Sequence, residues 1–215
     1  MASERAHRRL LFAAAIGSVG LLISAATFVA FRYGVESGGN GLPVMGTLPE
    51  FSLVGSNGQP LSHADLSGEI WVADFVFTQC PGLCPLLGAQ MAKLQGILAR
   101  DPNNKVRLVS FSVDPAHDTP EVLRAYADRL HADPGRWLFV TGERTALYSL
   151  IGDGFHLAVA ERPEGQNSDG EGLITHSDRF VLVDRNMQIR AYYHGTDEDA
   201  LSKLLSDIKR LDADS

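Results

Sequence analysis

Residues 70–85 read IWVADFVFTQCPGLCP: an apolar run with one aspartate, followed by the chain's two cysteines, Cys80 and Cys84. Apolar side chains occupy both alternating positions from Ile70 to Phe77, which predicts a central strand buried on both faces of a sheet. The cysteines follow at the carboxyl end of this strand and at the start of the next helix. A helix N-terminus lowers the pKa of a thiol through its free N–H groups and partial positive charge. This segment therefore predicts a reactive thiol pair at one edge of the sheet.

Two thiols this close together can form a tight disulfide or bind one soft metal ion. A disulfide between Cys80 and Cys84 closes a loop over three intervening residues, so it adds little stability and is not expected to be purely structural. Two thiolates suit Cu(I) or Zn(II), and an added imidazole extends the set to Cu(II). Zinc bound by two cysteines and a histidine is an alternative on ligand type alone.

The rest of the domain alternates strands and helices. Thr119-Pro120 is a typical helix start, because an N-cap residue precedes a proline at the first helical position. The polar segment at residues 161–172 predicts an exposed loop. This order predicts an α/β fold, a mixed central sheet flanked by helices on both faces. The predicted strands are 51–54, 60–61, 70–77, 106–113, 137–140, 155–159, 180–183 and 188–193, and the predicted helices are 86–98, 119–130, 144–151 and 196–211.

The N-terminal region predicts a membrane anchor. Residues 10–31 contain no charged side chain, and as a helix they span roughly 33 Å. A cleavable signal peptide is the competing interpretation, but its apolar core is usually about 7–15 residues. Three arginines precede the run, which favours a cytoplasmic N-terminus. No long amphipathic presequence comes first, which favours a bacterial inner membrane over a mitochondrial one.

These features predict four regions along the chain. We expect a cytoplasmic N-terminus at residues 1–9, one transmembrane signal anchor at 10–31, a flexible glycine-rich linker at 32–48 and a domain at 49–215. The protein is then a single-pass protein of the bacterial inner membrane, with its C-terminal domain in the periplasm.

The charge distribution excludes one class of partner. The chain has 19 basic and 26 acidic residues, of which four arginines and one glutamate lie within the first 33 residues. This leaves 15 basic and 25 acidic residues, a net charge of −10, for the remainder. Such a domain would repel phosphate groups, so we expect no nucleic-acid binding.

Three motifs occur in order along the domain: DFVFTQCPGLCP at 74–85, SVDPAHDTP at 112–120 and THSDRFVLVD at 175–184. Together they resemble the Sco/SenC copper-chaperone family, and the resemblance covers about residues 48–211 and the anchor. It implies a thioredoxin-like fold and a copper ion, as Cu(I), Cu(II) or both, bound by Cys80, Cys84 and His176. It also implies a partner, cytochrome c oxidase subunit II, whose dinuclear copper centre the family helps to assemble, or another copper protein.

His176 differs from the other histidines by its position. It opens the predicted strand at 180–183, in the loop where thioredoxin-like redox proteins carry a cis-proline against their cysteine pair. The segment ITHSDRF contains no proline. The side chain of His176, which can donate to a metal, therefore replaces the cis-proline that those proteins use in disulfide exchange. Solvated or half-exposed positions are predicted for His63, His117, His131, His156 and His194.

Three aspartates have less specific interpretations. Asp74 lies on the central strand, six residues before Cys80. It is either a carboxylate paired with a backbone or basic group, or a buried carboxylate with a raised pKa that takes protons when the cysteines are oxidised or metallated. Asp114 and Asp118 occupy turn or helix-start positions, where aspartate typically caps backbone N–H groups.

Two functions remain open at this point. The first is a metallochaperone, which is a copper carrier and not an enzyme. The second is a thiol–disulfide oxidoreductase that reduces the copper-ligand cysteines of the oxidase. A thiol peroxidase ranks last, because no arginine lies close in sequence to the cysteines. Oxidation to a Cys80–Cys84 disulfide would remove both soft ligands, so redox state is expected to gate metal loading.

Overall fold

The computed structural model of the chain describes residues 41–80, 82–158 and 178–213. The predicted anchor at residues 10–31, the predicted loop at 161–172 and His176 lie outside the described residues. Within the described ranges, no helix combines the length and the apolar character needed to cross a bilayer.

The described residues form strands and helices in the alternating order that the sequence predicts. They also include a 3₁₀ turn at His63–Asp65 and a π-helical turn at Leu150–Gly154. The strands are β1 (Gly46–Thr47), β2 (Ser52–Gly55), β3 (Pro60–Ser62), β4 (Trp71–Val76), β5 (Arg107–Ser112), β6 (Trp137–Thr141), β7 (Arg179–Val183) and β8 (Gln188–His194); the α-helices are α1 (Leu83–Leu98), α2 (Pro120–Arg129), α3 (Arg144–Ser149) and α4 (Ala200–Asp212).

The strands form one mixed sheet in the order β1-β8-β7-β4-β5-β6-β2-β3. Strands β4, β5 and β6 are parallel neighbours, while β7 and β8 pair antiparallel on one side and β2 and β3 on the other. Every residue of β4 is buried, as its unbroken apolar pattern predicts for a central strand. The carboxyl end of β4, from which the cysteine segment leaves, is therefore at the centre of one edge of the sheet.

Two hydrophobic clusters cover the two faces of the sheet. Helices α1, α2 and α4 pack on one face through residues such as Met91, Leu123 and Leu204. The segment formed by α3 and the π-helical turn packs on the other face, around Trp71 and Phe111. Both cysteines lie at this second cluster: Cys84 is one of its buried residues, and Cys80 packs against it.

The predicted strand at residues 155–159 is wrong over its described part. Residues 155–158 form no strand. The π-helical turn ends at Gly154, and the ring of the next residue, Phe155, is buried against Phe75 and Phe111. His156 has a positive φ of 54°, which is incompatible with an extended strand. The apolar pattern here reflects insertion into the core and not alternation along a strand.

The last helix begins later than its predicted start at residue 196. Thr196 Oγ1 donates to Asp178 Oδ2 at 3.1 Å, and Asp197 N donates to His194 O in a turn. These contacts hold the chain in a non-helical conformation until α4 begins at Ala200.

The chain is already packed on the sheet before residue 49. Leu42 and Leu48 are buried, and β1 lies within the segment predicted to be linker. Arg190 explains this arrangement: its guanidinium donates to the carbonyl oxygens of Leu42 and Pro43 and pairs with Asp184 at 2.6 Å. A buried cation that is hydrogen-bonded in this way ties the entering chain to β8.

Candidate metal centre

The cysteine pair lies where β4 ends and α1 begins. Cys80 N donates to Phe77 O at 3.2 Å in a tight turn, and α1 starts at Leu83, so Cys84 is its second residue. Both cysteines are free thiols. Cys84 is buried, with 3% of its surface exposed, whereas Cys80 is partly exposed. The structure thus provides one accessible sulfur and one protected sulfur.

The sulfur of Cys80 accepts a hydrogen bond from the first turn of α1. The N-cap residue Gly82 has no side chain that can cap the helix, so the first N–H groups need other acceptors. Cys84 N points to Cys80 Sγ at 3.4 Å. This contact gives the N–H group of Cys84 an acceptor and holds the Cys80 sulfur beside the first turn of α1.

The environment of Cys84 differs from the prediction. Burial raises the pKa of the Cys84 thiol to about 12, and the neighbouring Cys80 sulfur and Asp74 carboxylate act in the same direction. A backbone contact at Phe77 offsets only part of the rise. The prediction that the helix N-terminus lowers the thiol pKa is therefore wrong for Cys84, because desolvation outweighs the helix dipole. This thiol stays protonated at neutral pH until a cation replaces the proton.

Asp118 is a buried carboxylate that fixes the loop before Cys80. Thr78 Oγ1 donates to Asp118 Oδ1 at 2.6 Å, and Thr78 N donates to both carboxylate oxygens at 3.2 and 3.3 Å. Ser112 Oγ donates to Asp118 Oδ2 at 2.6 Å. Asp118 has no exposed surface, so these charge-assisted bonds replace its hydration.

The prediction that these aspartates cap backbone N–H groups is confirmed for Asp118, which accepts from Thr78 N, and is wrong for Asp114; neither side chain caps the start of α2. Thr119 caps α2 and accepts from Val122 N, while Asp114 Oδ2 pairs with His117 Nδ1 at 2.8 Å. Sequence reasoning missed the role of Asp118 because its partner Thr78 is 40 residues away. The available signal was the occurrence of Thr78 and Asp118 in two of the three motifs.

Asp74 is a second buried carboxylate near the pair. Ser110 Oγ donates to its Oδ1, and Trp137 Nε1 donates to Ser110 Oγ at 2.8 Å. Asp74 Oδ2 has no hydrogen-bond partner among the described residues. Burial raises the pKa of Asp74 to about 7, and the Ser110 hydroxyl limits the rise because it stabilises the carboxylate. Of the two interpretations, the structure supports the buried carboxylate with a raised pKa; its proton exchange with the cysteines stays a prediction.

The third predicted ligand, His176, is outside the described residues. Within residues 41–80, 82–158 and 178–213, no three histidine, cysteine or acidic side chains come together as a metal site. The described part of the site therefore consists of two sulfur donors. Two soft donors on one short loop fit Cu(I), and they need one further ligand to hold Cu(II).

The fold and this site define a thioredoxin-like protein with a dithiol site that suits a soft metal ion or a reversible disulfide. The family model described as SCO1/SenC matches residues 44–212. The chain belongs to the SCO1/SenC family.

Individual relatives agree with this assignment. The chain is 31% identical to a SCO1 protein homolog of Bacillus subtilis over 159 residues, covering 74% of this chain and 79% of the relative. It is 30% identical to a putative copper-binding protein of Stutzerimonas stutzeri, covering 78% of this chain and 79% of the relative. The solved structure of BsSco, described as a cytochrome c oxidase assembly protein with a disulfide switch, superposes with a TM-score of 0.67 at 30% identity, covering 77% and 93% of the two chains.

Proposed function

We propose that this chain is a copper metallochaperone that helps to assemble the dinuclear copper centre of cytochrome c oxidase subunit II or of another copper protein. The observation that carries the proposal is the Cys80–Cys84 pair, two reduced thiols at one sheet edge in a SCO1/SenC chain. One relative at 30% identity is named as a putative copper-binding protein, and another belongs to the cytochrome c oxidase assembly proteins.

The proposed location is the outer face of a bacterial inner membrane. The uncharged stretch at residues 10–31 and the arginines before it support a single-pass anchor with the domain in the periplasm. Arg190 fixes the chain from Leu42 onwards. We therefore assign the role of tether to the glycine-rich stretch of sequence before Leu42.

The proposed ligands are Cys80, Cys84 and His176. Three ligands leave a coordination position open, so a thiolate or imidazole of the partner can bind before the old ligands leave. The unequal exposure of the sulfurs supports an order for this exchange: Cys80 is accessible to a partner, while the buried Cys84 retains the ion until last.

The thiol–disulfide oxidoreductase is the less favoured function. Release of a mixed disulfide needs the second cysteine as a thiolate, and burial keeps Cys84 protonated. A Cys80–Cys84 disulfide fits better as a switch that blocks metal loading.

Two experiments test the proposal. His176→Ala should abolish Cu(II) binding and the thiolate-to-copper absorption band while both thiols remain titratable; unchanged Cu(II) affinity would refute the three-ligand site. An anaerobic transfer assay from the copper-loaded, reduced protein to a soluble oxidase subunit II fragment should move copper. Failure of transfer under reducing conditions would refute the chaperone function.

A further inference from the structure

A second imidazole lies at the edge of the sheet that carries the cysteines. His194 ends β8 and pairs in register with Arg179 at the start of β7. Because β7 runs antiparallel to β4, with Val181 opposite Ala73, the start of β7 lies level with the carboxyl end of β4. His194 therefore lies two strands from β4, roughly 10 Å across the sheet.

The chain after His194 packs directly against the helix that carries Cys84. A Cβ atom at Gly195 would lie 2.5 Å from Leu87 Cδ2, and Leu87 is less than one helical turn from Cys84. Side chains alternate along β8, so His194 shares a face with Tyr192. Tyr192 packs against the cluster that contains both cysteines.

The orientation of the His194 ring is fixed by Asp178. His194 Nδ1 lies 2.8 and 3.0 Å from the two carboxylate oxygens of Asp178. Asp178 is held in turn by Thr196 Oγ1 at 3.1 Å, by a bond from Gly195 N to its carbonyl oxygen, and by Arg179 Nε at 3.8 Å. A carboxylate only accepts hydrogen bonds, so Nδ1 carries the proton and Nε2 of the neutral ring carries the lone pair.

This arrangement is the one that proteins use to prepare a histidine for a metal. A carboxylate behind Nδ1 fixes the tautomer and makes Nε2 a better donor. The side chain of His194 is 47% exposed, and no hydrogen bond reaches its Nε2 from the described residues. The exposed acidic residues Asp197 and Glu198 follow directly and favour the approach of a cation.

We propose that His194, oriented by Asp178, is an auxiliary copper ligand that captures Cu(II) before the ion reaches the cysteine pair. This inference rests on the proposed copper-carrier function. His194 is not a simultaneous ligand, because it does not converge with the cysteines on one point. In the first step, Nε2 replaces a copper-bound water molecule. In the second step, water replaces the imidazole and the released ion moves the roughly 10 Å to the cysteines. There a cysteine sulfur replaces a copper-bound water molecule, and the thiol proton passes to water; no electron is transferred.

Loading kinetics of the full chain with reduced cysteines test this role. Stopped-flow mixing with Cu(II) should show that His194→Asn slows growth of the thiolate-to-copper band at least fivefold, with an equilibrium affinity within twofold of the wild type. Asp178→Asn should slow it less, because the donor remains but its tautomer is no longer fixed. The matched control is His131→Asn: His131 is exposed, its φ of 53° suits asparagine, and it contacts Gln95 near the far end of α1.

A direct measurement does not depend on these loading rates. In the full chain with Cys80→Ser and Cys84→Ser, substoichiometric Cu(II) should broaden the NMR signals of the His194 ring before those of His131. Loading of His194→Asn at the wild-type rate, an equal loss in His131→Asn, or earlier broadening of His131 would overturn the inference. A wild-type protein that never develops the copper band would instead refute the proposed function, and the capture role with it.

Discussion

The pH dependence of stability should report the ionisation of Asp74. This carboxyl group is fully buried, accepts one hydrogen bond from Ser110, and has no partner at Oδ2 among the described residues. Burial raises its pKa from 3.8 to about 7. A carboxyl group with a higher pKa in the native state binds its proton more tightly there than in the unfolded chain. The protonated form therefore stabilises the fold, and that stabilisation is lost as the pH rises.

The magnitude follows from the size of the pKa shift. Asp74 should lower the free energy of unfolding by about 1.4 kcal/mol per pH unit between about pH 4 and pH 7. Over the whole window the loss is about 4 kcal/mol. Above pH 7 both states are ionised at this group, so its contribution no longer changes.

Urea unfolding of the wild type and Asp74→Asn between pH 4 and pH 8 measures this loss. Asparagine adds its own cost, but that cost does not depend on pH. Other titrations cancel when the two proteins are compared. We expect the variant to gain about 4 kcal/mol relative to the wild type between pH 4 and pH 8.

A second variant tests the cause of the shift. Ser110→Ala removes the hydroxyl that stabilises the carboxylate, so the upper end of the pH window should move above pH 7. A difference between wild type and Asp74→Asn that stays constant within about 1 kcal/mol across this range would refute the argument, because it would mean that Asp74 has the same pKa in both states.

Three other predictions concern the surroundings of the cysteines. Asp118→Asn should lower the free energy of unfolding by urea by about 2–4 kcal/mol, because it weakens a buried charged acceptor of three donors. The control is Asp114→Asn, at a more exposed pair, and an equal loss of stability in both variants would contradict the role proposed for Asp118. Gly195→Ala should cost about 1–3 kcal/mol by the same assay, since its Cβ would overlap Leu87, whereas Gly96→Ala, which meets no atom within 4 Å, should be neutral or stabilising. Copper binding should release the proton of Cys84, so competition titrations should show affinity rising by at least about tenfold per pH unit between pH 6 and pH 8, and Cys84→Ser should lower this slope by about tenfold per pH unit; an unchanged slope in Cys84→Ser would exclude Cys84 as a thiolate ligand.

Local patterns were sufficient to predict most of the fold. The buried strand β4 and the start of α2 at Pro120 agree with their predicted positions, because burial on both faces and helix capping leave signatures within a few residues. Strands β7 and β8 also lie where the sequence predicts strands, at residues 180–183 and 188–193. The predictions failed at Phe155 and before Ala200, where distant contacts override the local pattern.

The amino-acid sequence by itself determined that a thiol pair follows a central strand. Its three motifs also indicated the SCO1/SenC family, which the family match confirms. The tertiary structure alone decided the state of each group at the site. It buries Cys84 and Asp74 and so raises their pKa values, it brings Asp118 to Thr78, and it orients His194 with Asp178. The physical reason is that desolvation and hydrogen bonding depend on which distant segments meet, and no short stretch of sequence contains that information.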